Sequence, residues 1–295
     1  MRLITRGDLD GLTCAVLLSE MESIDSIELI HPQDITDKRF IVHADDILAN
    51  LPYHPGCFMW FDHHLLTDSN EKPPDHFKGM YRRAPSTARV IVEYYNSPKL
   101  QRFDKLVSET DRMDSANLNL EDVLNPDGYI LLGYTIDPRT GLGNFQDYFH
   151  SLVSALRDSN IEEILKMPEV VQRANKIKSE WEKFKELTLK HSRMEGNVVV
   201  TDFRDVNPIP IGNRFLIYTL FPDANVSVRI HWGPQKTQVA VVVGHAIFNR
   251  TCKVNVGELM SDYGGGGHFG AGSALLWEET AEESINKIIK ALQEK

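Results

Sequence analysis

The first 65 residues alternate short apolar runs with helical stretches, and this alternation constrains the fold more than any other feature of the chain. Arg2 to Thr5 reads as a strand, Leu12 to Met21 as a helix and Ile27 to Ile30 as a second strand; Asp46 to Leu51 and Phe58 to Phe61 read as two more. Strands separated by helices predict a largely parallel sheet with helices on its faces. In such sheets ligands sit beyond the carboxyl ends of the strands. Polar clusters fall there: Asp8 and Asp10 after the first strand, Asn50 near the end of a later one, Asp62 to His64 after another. Ser86 precedes the apolar residues Ala88, Val90, Ile91 and Tyr94 and reads as a helix cap. Leu100 to Thr110 looks helical and delivers Asp111 and Asp114 just past its end.

From Pro168 to His191, Val171, Ala174, Ile177, Trp181, Phe184 and Leu187 recur at helical spacing. Such a helix would be on the order of 35 Å long; it is the natural domain connector, and its exposed faces could pair two copies in a homodimer. After Gly196 the texture changes. Asn197 to Thr201, Phe215 to Phe221, Val226 to His231 and Gln238 to Val243 read as strands, and Lys253 to Ser261 as a helix. A final helix is expected from Thr280, with Glu283 completing a capping box. The expected architecture is therefore α/β: an N-terminal, mostly parallel sheet flanked by helices, a long connecting helix and a smaller C-terminal α/β domain. The expected boundaries are residues 1–190 and 191–295.

Charge narrows the partners. The chain carries 32 basic against 42 acidic side chains, a formal net charge of −10. Proteins that grip long nucleic acid through its phosphates usually present a basic face, so long nucleic acid is not expected as the main partner. A small phosphorylated ligand at a local site fits, as does a cluster of carboxylates around a divalent cation. No run of about 18 apolar residues exists, so no membrane span is expected, and MRLITRGDLDG does not read as a secretory signal. Cys14, Cys57 and Cys252 are odd in number and lack metal-knuckle spacing, which suits a reducing cytoplasm.

Three motifs carry chemistry. Asp8-Leu9-Asp10-Gly11 puts two carboxylates two residues apart at a strand end, where an extended chain points both to one face and a turn can converge them on a metal. Asp62-His63-His64 ends a strand of large apolar residues, and consecutive imidazoles at that place suggest ligation. Asp111 adds a further acid. Mixed oxygen and nitrogen donors of this kind suit Mn2+ or Mg2+ better than a thiolate-loving metal.

Taken in order, Asp8-x-Asp10-Gly11, Asp62-His63-His64, Asp111 and Gly264-Gly265-Gly266-Gly267-His268 resemble the DHH phosphoesterases, the last motif belonging to that family's C-terminal DHH-associated domain. The likeness covers nearly the whole chain, and the two main motifs lie about 200 residues apart. It is strongest to bacterial exopolyphosphatase-related proteins, through LPYHPGCFMWFDHH, NPDGYILLGYTIDPRTGLG and VGHAIFNRTCKVNVGELMSDYGGGGH. The resemblance implies that Asp8, Asp10, His63 and Asp111 match metal-ligand positions, with Asp114 open as the alternative to Asp111. It implies that His64 faces substrate beside the metal and that Asp62 orients a ligand histidine. Gly265, Gly266, Gly267 and His268 would form the substrate-phosphate element, since glycines let backbone N–H groups approach an anion. Arg229 and Arg139 are further phosphate candidates.

Two departures from the family pattern matter. Many members carry a histidine shortly before the first aspartate, where this chain has Arg6, which cannot ligate a cation. The second motif usually ends in a bridging aspartate; the strand register puts Asn50 there, or Asp46 if the register is shifted. Three aspartates and one guanidinium leave a charge of −2, which one divalent ion neutralises. The expectation is a metal-dependent phosphoesterase with one tight ion rather than two, with Arg6 taking part in catalysis. It would hydrolyse polyphosphate, a short oligonucleotide or a nucleoside phosphate by a metal-activated water. The rival is a degenerate, non-catalytic member that binds a phosphorylated ligand.

Overall fold

Leu3, Ile47 and Phe61 are buried toward one side of their strands, and Ile4, Leu48 and Trp60 toward the other. A sheet with both faces covered is what parallel strands with helical crossovers require. The computed structural model describes residues 1–64, 66, 71–137, 142–233 and 236–293. The chain forms two compact units, Met1–Leu118 with Asn125–Ile177, and Asn119–Leu124 with Lys178–Lys295.

The first unit runs β1 (Arg2–Thr5), α1 (Leu9–Met21), β2 (Ser26–Leu29), α2 (Pro32–Thr36), β3 (Asp46–Ala49), β4 (Met59–Asp62), β5 (Gly79–Tyr81), α3 (Thr87–Tyr95), a 3-10 turn at Pro98–Phe103 and α4 (Asp104–Asp114). Leu120–Leu124, which belongs to the second unit, forms α5; then follow α6 (Gly128–Thr135), α7 (Phe145–Asp158), α8 (Ile161–Ile164) and the long α9 (Pro168–Lys190). The five strands lie in the order β2-β1-β3-β4-β5 and all pair in parallel. Helices α1, α3, α4 and α7 supply Leu12, Leu17, Ile91, Val107 and Phe149 to the core on one face. On the other, Trp60 packs among Tyr53, Phe77 and Tyr81, and its indole Nε1 donates to the Leu51 carbonyl at 2.8 Å.

The second unit holds β6 (Ser192–Glu195), β7 (Val198–Asp202), α10 (Ile217–Leu220), β8 (Val226–Trp232), β9 (Gln238–His245), α11 (Val256–Ser261), β10 (Gly266–His268), β11 (Ala271–Trp277) and α12 (Glu278–Gln293). Its strands lie in the order β10-β11-β9-β8-β7-β6, with β7 and β8 parallel and the other pairs antiparallel. Val226, Val228 and Ile230 of β8 face Ile285, Ile288 and Ile289 of α12. The α/β class and the long helix agree with the sequence reading. No described helix is long and apolar enough to cross a membrane.

Four local expectations are corrected. Helix α1 begins at Leu9 rather than Leu12, because the Asp8 carboxylate accepts from the Gly11 amide at 2.8 Å and caps it there; Asp10 therefore sits in a first helical turn, not in an extended segment. Helix α4 runs through Asp114, so Asp111 and Asp114 lie on it rather than beyond it. Phe215–Phe221 is not a strand: Leu216 and Ile217 are buried in a short helix, and the Tyr218 hydroxyl donates to the Gly244 carbonyl at 2.8 Å. Helix α12 leaves β11 directly at Glu278, with Thr280 already inside its first turn, so the expected capping box is not used.

Candidate metal centre

β1, β3 and β4 are neighbours in the parallel sheet, so their carboxyl ends deliver Arg6 and Asp8, Asn50, and His63 and His64 to one edge. Asp10, His63 and Asp114 each offer a ligand atom there, all within 4.8 Å of one another.

Each of the three is held from behind. Asp10 is fully buried, and its two oxygens accept from the Thr87 and Ala88 amides, each at 2.9 Å, at the start of α3. A helix N-terminus favours that negative charge. His63 Nδ1 lies 3.0 Å from the Ala84 carbonyl, and a carbonyl can only accept, so Nδ1 carries the proton. Nε2 is then left with its lone pair, 3.2 Å from Asp114 Oδ2 and 3.9 Å from Asp10 Oδ2. That atom is buried and makes no hydrogen bond. A lone pair aimed at two carboxylates is repulsive unless a cation stands between them, and the donor set fits a divalent ion of the Mn2+ or Mg2+ kind.

The electrostatics agree. Burial and the negative charge of Asp8 hold the Asp10 carboxyl above the ordinary range, against the pull of His63 and the two amides. Burial and then crowding by Asp10 and Asp8 push Asp114 well above it, partly offset by His64 and Arg6. The Asp114 side chain keeps 28% of its surface accessible, so crowding by like charge is the more durable of those causes. Cys14, 3.8 Å from Asp10, has its thiol pushed up by burial and by the neighbouring carboxylates, so it stays protonated in the metal-free chain at neutral pH.

The other expected residues are distributed as follows. Asp8 accepts from the Gly11 amide and, at 3.1 Å, from Asn50 Nδ2 on one oxygen, and pairs with Arg6 Nε at 3.2 Å on the other. Asn50 thus holds the strand-end position, in a left-handed conformation with φ of 59°, and its Oδ1 is buried without a hydrogen bond. Asp46 is at the opposite end of β3, paired with Arg2 at 2.6 Å. Asp111 is not brought to His63: Ser86 Oγ donates to its Oδ1 at 2.6 Å, and Arg89 Nε and Nη2 donate to its Oδ2 at 2.9 and 2.5 Å. Asp62 orients a histidine, but it is His64 (Nδ1 to Oδ1, 2.7 Å), while the Ala84 carbonyl orients His63. The two imidazoles meet edge to face at 4.3 Å.

In the second unit, strand register puts the phosphate candidates on one face. His268 pairs with Ala271, Ala271 with Gly244 and Gly244 with Ser227, which lies two residues from Arg229 on β8. Gly264 to His268 is no loose loop, because Gly266–His268 is strand β10. A Cβ on Gly265 would lie 2.0 Å from the Ser273 carbonyl oxygen; on Gly267, at φ of 156°, one would lie 2.2 Å from that of Ala271. Gly267→Ala is therefore expected to destabilise the second unit by about 1–3 kcal/mol. Gly266→Ala, with nothing within 4 Å, leaves it unchanged in a thermal melt. Arg139 lies outside the described residues.

No known family model matches the chain, and no curated protein matches it. Among solved structures, it is 36% identical to the pGpG-specific phosphodiesterase PggH from Vibrio cholerae, over 99% of this chain and 98% of that one, with a TM-score of 0.79. The chain belongs to the DHH phosphoesterase family. The same fold, at 12% identity, occurs in RecJ from Thermus thermophilus in complex with Mn2+, over 99% of this chain and 52% of that one (TM-score 0.58). It also occurs, at 13% identity, in an exopolyphosphatase-related protein from Bacteroides fragilis, over 99% and 91% of the two chains (TM-score 0.50). In this DHH protein, Arg89 and the Ala84 carbonyl are groups beside the centre that the sequence reading did not select. Asp114 was legible as the alternative to Asp111; Arg89, inside an ordinary amphipathic helix, carried no signal.

Proposed function

We propose that the chain is a metal-dependent phosphodiesterase that hydrolyses a short 5′-phosphorylated oligonucleotide, pGpG being the leading substrate. The observation that carries the chemistry is the buried His63 Nε2, unbonded and facing Asp10 and Asp114. Support for the substrate is the 36% identity to PggH over nearly the full length of both chains. The net charge of −10 favours a short substrate over long nucleic acid.

Asp10, His63 and Asp114 would hold one Mn2+ or Mg2+ per chain. When bound, such an ion lowers the pKa of a water ligand and polarises a phosphoryl oxygen. His64 Nδ1–H donates to the Asp62 carboxylate and keeps its proton, so Nε2 is the nitrogen that would take or give a proton during cleavage. Arg6 pairs with Asp8 through Nε, and its Nη groups are donors for a phosphoryl oxygen. Arg229, His268 and the glycines before it are assigned to the phosphates of the substrate. Free Cys14, Cys57 and Cys252 support a reducing, cytoplasmic setting.

The test is product analysis on the full chain with Mn2+ and a panel of pGpG, longer oligonucleotides, cyclic dinucleotides and polyphosphate. Conversion of pGpG to two molecules of GMP, ahead of every other member, is expected. Turnover of polyphosphate with pGpG left intact would contradict the substrate assignment, and no turnover of any member would favour a ligand-binding role.

A further inference from the structure

Five carboxylates lie around the strand ends; Asp62 is taken up by His64 and the His63 amide, and the other four are held in two different ways. Asp8 has both oxygens engaged, one by the Gly11 amide and Asn50 Nδ2, the other by Arg6. Asp111 likewise has both engaged, one by Ser86 Oγ and the other by two nitrogens of Arg89. Asp10 receives the Thr87 and Ala88 amides and the Cys14 thiol, and Asp114 faces His63 Nε2. Two of the four carry a guanidinium of their own; two do not.

We infer that Arg6 and Arg89 are built-in cations that withdraw Asp8 and Asp111 from metal coordination and thereby limit the centre to a single divalent ion. The inference rests on the metal-dependent reading and deepens it. With Asp62 counted, five carboxylates and two guanidiniums leave a formal charge of −3, which one divalent ion reduces to −1. A guanidinium neither ligates a cation nor loses its proton at any working pH, so it competes with an incoming ion for its carboxylate across the whole range. Arg89 is the more decisive of the two. Asp111 precedes Asp114 by three residues on α4 and so shares its face of the helix, and its Ser86 partner caps the helix whose first amides hold Asp10. Without Arg89, Asp111 would be an uncompensated acid beside the ion. Arg89 acts through Asp111 and is a positioning residue.

The experiment is Mn2+ titration of the full chain by isothermal calorimetry, with electron paramagnetic resonance of the loaded samples. The wild type is expected to bind one tight ion per chain with an uncoupled signal. Asp111→Asn should still bind one ion, whereas Asp114→Asn should weaken binding by about 100-fold or more. Arg89→Met should admit a second ion, seen as a stoichiometry of two and a spin-coupled signal, and Arg89→Lys should return it toward one. Two tight ions in the wild type would overturn this inference alone. So would loss of the ion in Asp111→Asn to the extent seen in Asp114→Asn, or a stoichiometry still at one in folded Arg89→Met. Absence of any tight Mn2+ in the wild type would overturn the metal-dependent reading and this inference with it.

Discussion

Replacing His63 by alanine is expected to lower Mn2+-dependent hydrolysis of pGpG by at least about three orders of magnitude, because the nucleophile is made at neutral pH only by a bound cation. The imidazole is the nitrogen donor of the cluster with Asp10 and Asp114. Alanine removes the donor and leaves the Asp10 and Asp114 carboxylates without it. The backbone cost is small: the His63 amide to Asp62 Oδ1, at 2.9 Å, survives the substitution, as does the pairing of β4 with β3 and β5. Steady-state kinetics with a circular dichroism control would check this. Undiminished turnover in a folded His63→Ala protein would refute the ligand assignment.

The second large effect concerns stability, and its sign is unusual. Burial and mutual crowding raise the carboxyls of Asp10 and Asp114 above their ordinary range in the folded chain. The metal-free folded state therefore binds more protons than the unfolded chain at pH values above about 4, and its stability falls as pH rises through that interval. Other carboxylates, such as Asp46 beside Arg2 and Asp202 beside Arg204, are lowered and act in the opposite sense. The clean observable is the difference between the wild type and Asp114→Asn. The variant is expected to melt higher than the metal-free wild type at pH 7.5, with the gap closing toward pH 4. Saturating Mn2+ should reverse the order, since a thousand-fold excess over the wild-type Kd adds about 4 kcal/mol to the wild type and at most about 1.4 kcal/mol to a variant that binds 100-fold more weakly. Thermal melts across pH, with and without Mn2+, would check this. A metal-free Asp114→Asn protein that melts lower than the wild type throughout would contradict it.

What could be read in the sequence follows from which forces act locally. The apolar runs of β1, β3 and β4 and the polar residues after them placed Asp8, Asn50 and His63 at one sheet edge, because period and strand ends are local properties. Asn50 against Asp46 was a matter of register by a few residues, and it resolved toward Asn50. The choice between Asp111 and Asp114 was not legible. It depends on the phase of α4 relative to α3 and on Arg89 and Ser86 capturing Asp111, which are contacts across 22 and 25 residues of chain. The same holds for the partner of each imidazole: Asp62 and the Ala84 carbonyl divide His64 and His63 between them through geometry that residue types do not encode. In the second unit, Phe215 to Phe221 has strand-like composition, and tertiary burial of Leu216 and Ile217 overrode it.

The central claim, that Asp10, His63 and Asp114 hold a divalent cation, is tested most directly by crystals of the full chain grown with Mn2+ and measured at the manganese absorption edge. An anomalous peak within ligand distance of His63 Nε2, Asp10 and Asp114, with Asp111 still on Arg89, is the predicted result. A peak coordinated by Asp111, or no peak near His63 in Mn2+-saturated crystals, would contradict the account.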